Sequence, residues 1–185
     1  MHSIKIISGV STLVYDNLQI DSVKKIRLHV EDNSSTVDSI VAEIITPYCK
    51  DLDEYVRFIK DCLKDGNNPP TNSELEDFCL NLSTFIYFAG GMCEQLGIRD
   101  DISKAVYKEM YHSARASLDK GTVADKDSLA ELTAQQEQLT NICYNRAYRI
   151  MKSKVENAQE LLGSCKKVLS HRMQEMELTR IGVGN

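Results

Sequence analysis

From about Asp125 to about Leu178 the chain runs for more than fifty residues with no proline and a single glycine, Gly163. At ~1.5 Å of rise per residue an unbroken helix there would be about 75–80 Å long. An isolated helix of that kind buries nothing, so it requires partners along its length. The sequence supplies a face for them. Tyr148, Val155, Leu162, Leu169 and Met176 recur every seven residues, with Tyr144, Met151, Ala158 and Cys165 as a second row. The rows fit positions a and d of a heptad, which predicts a coiled-coil or bundle seam. Tyr148, Met151, Val155, Ala158, Leu162, Cys165 and Leu169 are therefore the expected oligomerisation residues of a homo-oligomer. Leu129, Leu132 and Leu139 continue the apolar face upstream in a looser register.

Charge divides along the same boundary. Residues 141–185 carry eight Lys and Arg against four Glu, whereas residues 1–140 carry fourteen against twenty-three Asp and Glu. The net charge of −5 thus conceals an acidic body and a basic C-terminal arm. Arg146, Arg149 and Lys152 step by three, and Lys167, beside Lys166, lies five helical turns beyond Arg149 at the same azimuth. A basic stripe of this kind binds phosphates, and oligomerisation would extend it. The alternative is a solvated helix face, diluted by Glu156 and Glu160.

A chain of 185 residues, 42% hydrophobic, is long enough to bury a core. No apolar run approaches a membrane span and no signal-peptide h-region is visible, so a soluble, cytoplasmic protein with no membrane partner is expected. The six cysteines form no C-x-x-C pair and fall mostly on apolar helix faces, which predicts reduced thiols. The histidines are scattered without zinc-ligand spacing, so neither a metal nor a cofactor is expected.

In Lys25–Glu31, Ile26, Leu28 and Val30 alternate with polar residues, which predicts a half-buried strand. Ser11–Tyr15 would pair with it through turns at Asp16-Asn17 and Asp21-Ser22. A linker and N-cap cluster follows at 32–36, then a helix broken or kinked at Pro47 and another reaching Lys64. Ser73 and Glu76 form a capping box for a third helix, which contains Gly90-Gly91 and ends at Gly97; Asp100 or Asp101 caps a fourth. The expected fold is mainly α, a helical bundle built on one long C-terminal coiled-coil-like helix with a small N-terminal β element. Its divisions are residues 1–35 (β element), 36–124 (helical body) and 125–185 (oligomerisation arm).

No catalytic signature stands out. Asp51-x-x-Glu54 followed by Glu74-x-x-Asp77 resembles the paired acidic motifs of all-α Mg²⁺-dependent nucleotide pyrophosphohydrolases, with Asp51 where that family has Glu. Acidic residues in a first helical turn are also common for dipole reasons alone. Gly90-Gly91 lacks the strand and further glycines of a phosphate loop. Tyr107, Tyr111, His112, Tyr144 and Tyr148 are either nucleobase-stacking groups or half-buried core residues.

From about residue 84 to 175, a helix ending Ser113-Ala114-Arg115-Ala116-Ser117-Leu118-Asp119-Lys120-Gly121, a loop with Ala124-Asp125-Lys126-Asp127, and a long helix with Tyr144 and Tyr148 near its start follow in order. This order resembles the phage recombination mediator family UvsY. Ala114-Arg115, Leu118-Asp119 and Gly121 look like that family's basic segment associated with single-stranded DNA. Ser113 stands where the family has a basic residue, so only Arg115 is carried over, and the first eighty residues have no counterpart. The resemblance implies a non-enzymatic oligomer in the host cytoplasm that binds single-stranded DNA and helps a RecA-like recombinase displace single-strand-binding protein. With the charge layout, the expected nucleic-acid-binding residues are Arg115, Lys120, Arg146, Arg149, Lys152, Lys166 and Lys167. A structural adaptor without nucleic acid, or the nucleotide pyrophosphohydrolase, remains the alternative.

Overall fold

The computed structural model describes residues 5–66 and 68–182. All of its regular elements are helices: α1 (Lys5–Lys64), α2 (Asn72–Ala116), α3 (Val123–Thr133) and α4 (Gln135–Gly182). The mainly α expectation holds, and no strand occurs among the described residues. The chain divides into two compact units, residues 1–40 and residues 41–185, so the boundary falls within α1 and the C-terminal arm does not separate from the body.

In the first unit the expected β element is helical, although residues 1–4 lie outside the described residues. Lys25–Glu31, the two expected turns and the 32–36 cluster all belong to α1. Seven alternating residues fit a strand only if a neighbour covers one face. Here Leu28 and Val30 are exposed, and Arg27 Nε lies 3.1 Å from Glu31 Oε1, an i,i+4 ion pair that only a helix brings together.

The second unit is a three-helix bundle of the C-terminal part of α1, α2 and α4. Tyr55 meets Phe85 with centroids 4.9 Å apart, and Phe58 meets Phe78 edge-on at 5.8 Å. As the number rises on one helix it falls on the other, so α1 and α2 are antiparallel. Gly97 against Tyr148 and Asp100 against Asn141 run α4 antiparallel to α2 in the same way. The core is Val41, Ile45, Cys49, Leu52 and Ile59 on α1, Leu75, Phe78, Leu82, Ala89, Cys93 and Leu96 on α2, and Cys143, Ala147, Met151, Ala158 and Cys165 on α4. Residues spaced by three, four and seven form one stripe on each helix.

Three expected helix boundaries are absent. Pro47 is exposed inside α1, which continues because Ile45, Cys49 and Leu52 on either side of it are packed. Gly97 lies inside α2 instead of ending it: a Cβ there would stand 3.2 Å from Tyr148 Cε2, so the glycine permits close approach of α2 and α4. Asp100 therefore caps nothing, and its carboxylate accepts bonds from Asn141 Nδ2 (3.4 Å) and Asn145 Nδ2 (3.0 Å) on α4. The long stretch is itself interrupted, at Ala134 (φ −93°, ψ 11°), where α3 ends and α4 begins; α4 then passes through Gly163 unbroken.

The capping box of α2 is Thr71 with Glu74, two residues before the expected Ser73 and Glu76. The Thr71 backbone N–H donates to Glu74 Oε2 at 2.7 Å, and this bond, with the Thr71 hydroxyl, holds the Glu74 carboxyl below the usual Glu range. A depressed folded-state pKa adds stability that is complete above the unfolded value and is lost as pH falls through the folded one. Thr71→Ala should cost about 1 kcal/mol at neutral pH. The gap in melting temperature should narrow but not close on acidification below the ordinary carboxylate range, because the hydroxyl that accepts from the Glu74 N–H is lost at every pH; a gap independent of pH would show that the bond from the hydroxyl to the carboxylate contributes nothing.

Candidate nucleic-acid interface

Arg146, Arg149, Lys152, Lys166 and Lys167 are all exposed on α4, and none forms an ion pair among the described residues. At 3.6 residues per turn, Glu156 and Glu160 fall on the azimuth shared by Arg149 and Lys167. The stripe is therefore two basic patches, 146–152 and 166–167, with a carboxylate pair between them. The first patch is the denser, with three cations within two turns.

Arg115 differs from these five. Its Nε lies 2.6 Å from Asp127 Oδ1, and the Tyr111 hydroxyl donates to the same oxygen at 3.2 Å. Asp127 compensates the charge and fastens the end of α2 to α3. Burial first, then the bond to Asp127, pushes the Tyr111 phenol up. Lys120 is exposed in the loop after α2. Arg115 also lines a groove of about 360 Å³ with His112, Leu118 and Lys126, so Lys126 is a further cation at this end of the bundle.

The seam is occupied within one chain. Met151, Ala158 and Cys165 are buried by the chain's own helices, the Tyr148 ring packs at Gly97, and Val155, Leu162 and Leu169 are half-buried. Within one chain, Met151, Ala158 and Cys165 of these rows pack against α1 and α2, while Met176 is exposed. Periodicity identifies a buried face without identifying what covers it.

The other candidates are dispersed. Asp51 and Glu54 are exposed on α1, whereas Glu74, engaged with Thr71, and Asp77 line one groove with Tyr55 and Phe58. No group of three or more His, Cys, Asp or Glu able to hold a metal ion occurs among the described residues. Tyr107 and Tyr111 contact each other at 6.4 Å, while Tyr144 lines a groove with Ile102 and Val106. Burial pushes the thiols of Cys79, Cys93, Cys143 and Cys165 up, and that of Cys49 to about 11, where the bond to Asp53 adds to the burial. All six cysteines are free.

Two polar contacts escape sequence reasoning. Lys154, a member of the basic arm, turns inward and places Nζ 2.6 Å from Asp53 Oδ2. Arg172 donates to the Pro70 carbonyl and ties α4 to the loop before α2. In both cases the partner is about a hundred residues away, and no local pattern marks it. No described helix is long and apolar enough to cross a membrane.

No protein-family model matches the sequence, and no curated protein or solved structure matches it.

Proposed function

We propose that this protein is a non-enzymatic accessory protein that binds single-stranded DNA along the basic flank of α4, acts as a homo-oligomer and serves recombination by loading a RecA-like recombinase against single-strand-binding protein. The observation that carries the DNA-binding part is the set of five exposed, unpaired cations on one helix of an otherwise acidic chain. Cations held away from carboxylate partners are available to displace counterions from a phosphate backbone. The recombination role rests on the resemblance over residues 84–175. A second reading, an adaptor that assembles through helices without nucleic acid, draws support from the Arg115–Asp127 pair, which neutralises the one residue carried over from that family.

Fluorescence anisotropy with single-stranded oligonucleotides separates the two. Binding should weaken with salt and show little sequence preference. Arg146→Ala with Arg149→Ala should flatten the log–log salt slope by about 1.4, at ~0.7 per lost phosphate contact. No binding by the intact protein at low salt would leave the adaptor as the reading.

A further inference from the structure

The groove between α2 and α4 that Ile102, Val106 and Tyr144 line has a volume of about 290 Å³. Ile102 and Val106 are 57% and 45% exposed, so its wall is apolar and open to solvent. Arg99 and Glu137 line the same groove. Sites for small ligands have this make-up, apolar walls with a few polar groups that fix orientation.

Glu137 lies in the first turn of α4, where the helix dipole favours a carboxylate. The dipole does not account for how the carboxylate is held. Its Oε2 is closed off from solvent and receives no hydrogen bond among the described residues. The two aliphatic hydroxyls of the groove are engaged elsewhere: Ser103 donates to the Asp100 carbonyl at 2.8 Å and Thr140 to the Gln136 carbonyl at 2.9 Å. A buried carboxylate oxygen is costly without a donor, so this one calls for a donor from outside the chain.

Arg99 does not supply it. No ion pair includes Arg99 among the described residues, and its guanidinium carbon lies 5.6 Å from the Tyr48 ring centroid. Stacking uses the guanidinium face and leaves N–H groups at its edge for an anion. Asn141 stands opposite Ser103 and Tyr148 opposite Gly97, which puts Glu137 opposite about Val106, seven residues or ~10 Å along the axis from Arg99. Helical side chains lean towards the N-terminus of their own helix, and in this antiparallel pair that carries the two charges apart. They form the ends of the groove, with Ile102 and Tyr144 between them.

We propose that this groove binds a linear aliphatic ligand with an ammonium group at one end, which donates to Glu137, and a carboxylate at the other, which accepts from Arg99. The alkyl chain covers Ile102 and Val106. The site uses none of the cations assigned to DNA, so the test is made without DNA and stands apart from that reading. The probe is 6-aminohexanoate. Added to the full chain, it should raise the melting temperature in a saturable way, as a ligand of the native state does. Hexanoate, which lacks the ammonium, should bind at least about tenfold more weakly. Glu137→Gln should abolish the shift with helical circular dichroism unchanged, and Arg99→Gln, at an exposed position, should do the same without touching the core. Nα-acetyl-lysine presents the same two groups with a branch beside the carboxylate; binding of it too would identify a peptide's C-terminal lysine as the source, and its exclusion a free ω-amino acid. No shift with ~10 mM 6-aminohexanoate would overturn the proposal and leave water as the donor to Glu137. Equal binding of hexanoate would also overturn it, as would a shift that survives either substitution.

Discussion

Replacing Met151 with alanine is expected to cost about 3 kcal/mol, since the side chain is fully buried and its removal leaves a cavity between helices. In a chain of this size that corresponds to a fall of roughly 6–12 °C in the thermal midpoint. The variant should keep the assembly mass of the wild type, because the seam closes inside one molecule. A variant that keeps its midpoint but loses assembly mass would place the seam between chains instead.

The second large effect is expected at Lys154. Its ammonium and the Asp53 carboxylate are each about two-thirds buried, and Nζ reaches both carboxylate oxygens, at 2.6 and 2.7 Å. Lys154→Ala leaves that carboxylate without its counter-ion and should cost roughly 2 kcal/mol, below the range for a fully buried pair because water still reaches both groups. Asp53→Ala with Lys154→Ala should cost less than the two single changes together, by about 1 kcal/mol in a double-mutant cycle. Additive costs would mean that the two side chains stabilise the bundle independently.

Much of the second unit was legible because its helices carry clean three-four spacing. Leu52, Ile59, Leu75, Phe78 and Leu82 recur at three-, four- and seven-residue spacings and are buried. Boundaries were less legible, since a glycine reads the same whether it ends a helix or admits a neighbour. Gly97 admits the Tyr148 ring, which lies fifty-one residues on and leaves no mark nearby. The alternation of Ile26, Leu28 and Val30 failed for a related reason, as seven residues of period two specify a strand only where another strand is available. On α4 the charges were legible as exposed, because Lys and Arg seldom enter a core unpaired. The exception, Lys154, is paired across the bundle by Asp53. Arg115 was legible as a cation but not as a neutralised one, because the loop that returns Asp127 to it sets the pairing.

The cluster of Asp100, Ser103, Asn141 and Asn145 has a consequence for how α2 and α4 find each other. The apolar rows of α4 repeat every seven residues, so slipping one helix along the other by about 10.5 Å would return similar side chains to similar places. Burial alone discriminates weakly between those alignments. Asn141 donates to Ser103 Oγ at 3.1 Å and shares Asp100 with Asn145, an arrangement available in only one of them. Slippage by one heptad would bring Tyr148 and Lys152, or Ala134 and Gln138, opposite Asp100 and Ser103. Ser103 is buried and would keep only its bond to the Asp100 carbonyl within α2, losing the one from α4, at a cost of about 0.5–1.5 kcal/mol. Four small polar residues thus act as an index mark that a repeating apolar surface cannot supply, and they commit the bundle to a single alignment as it folds.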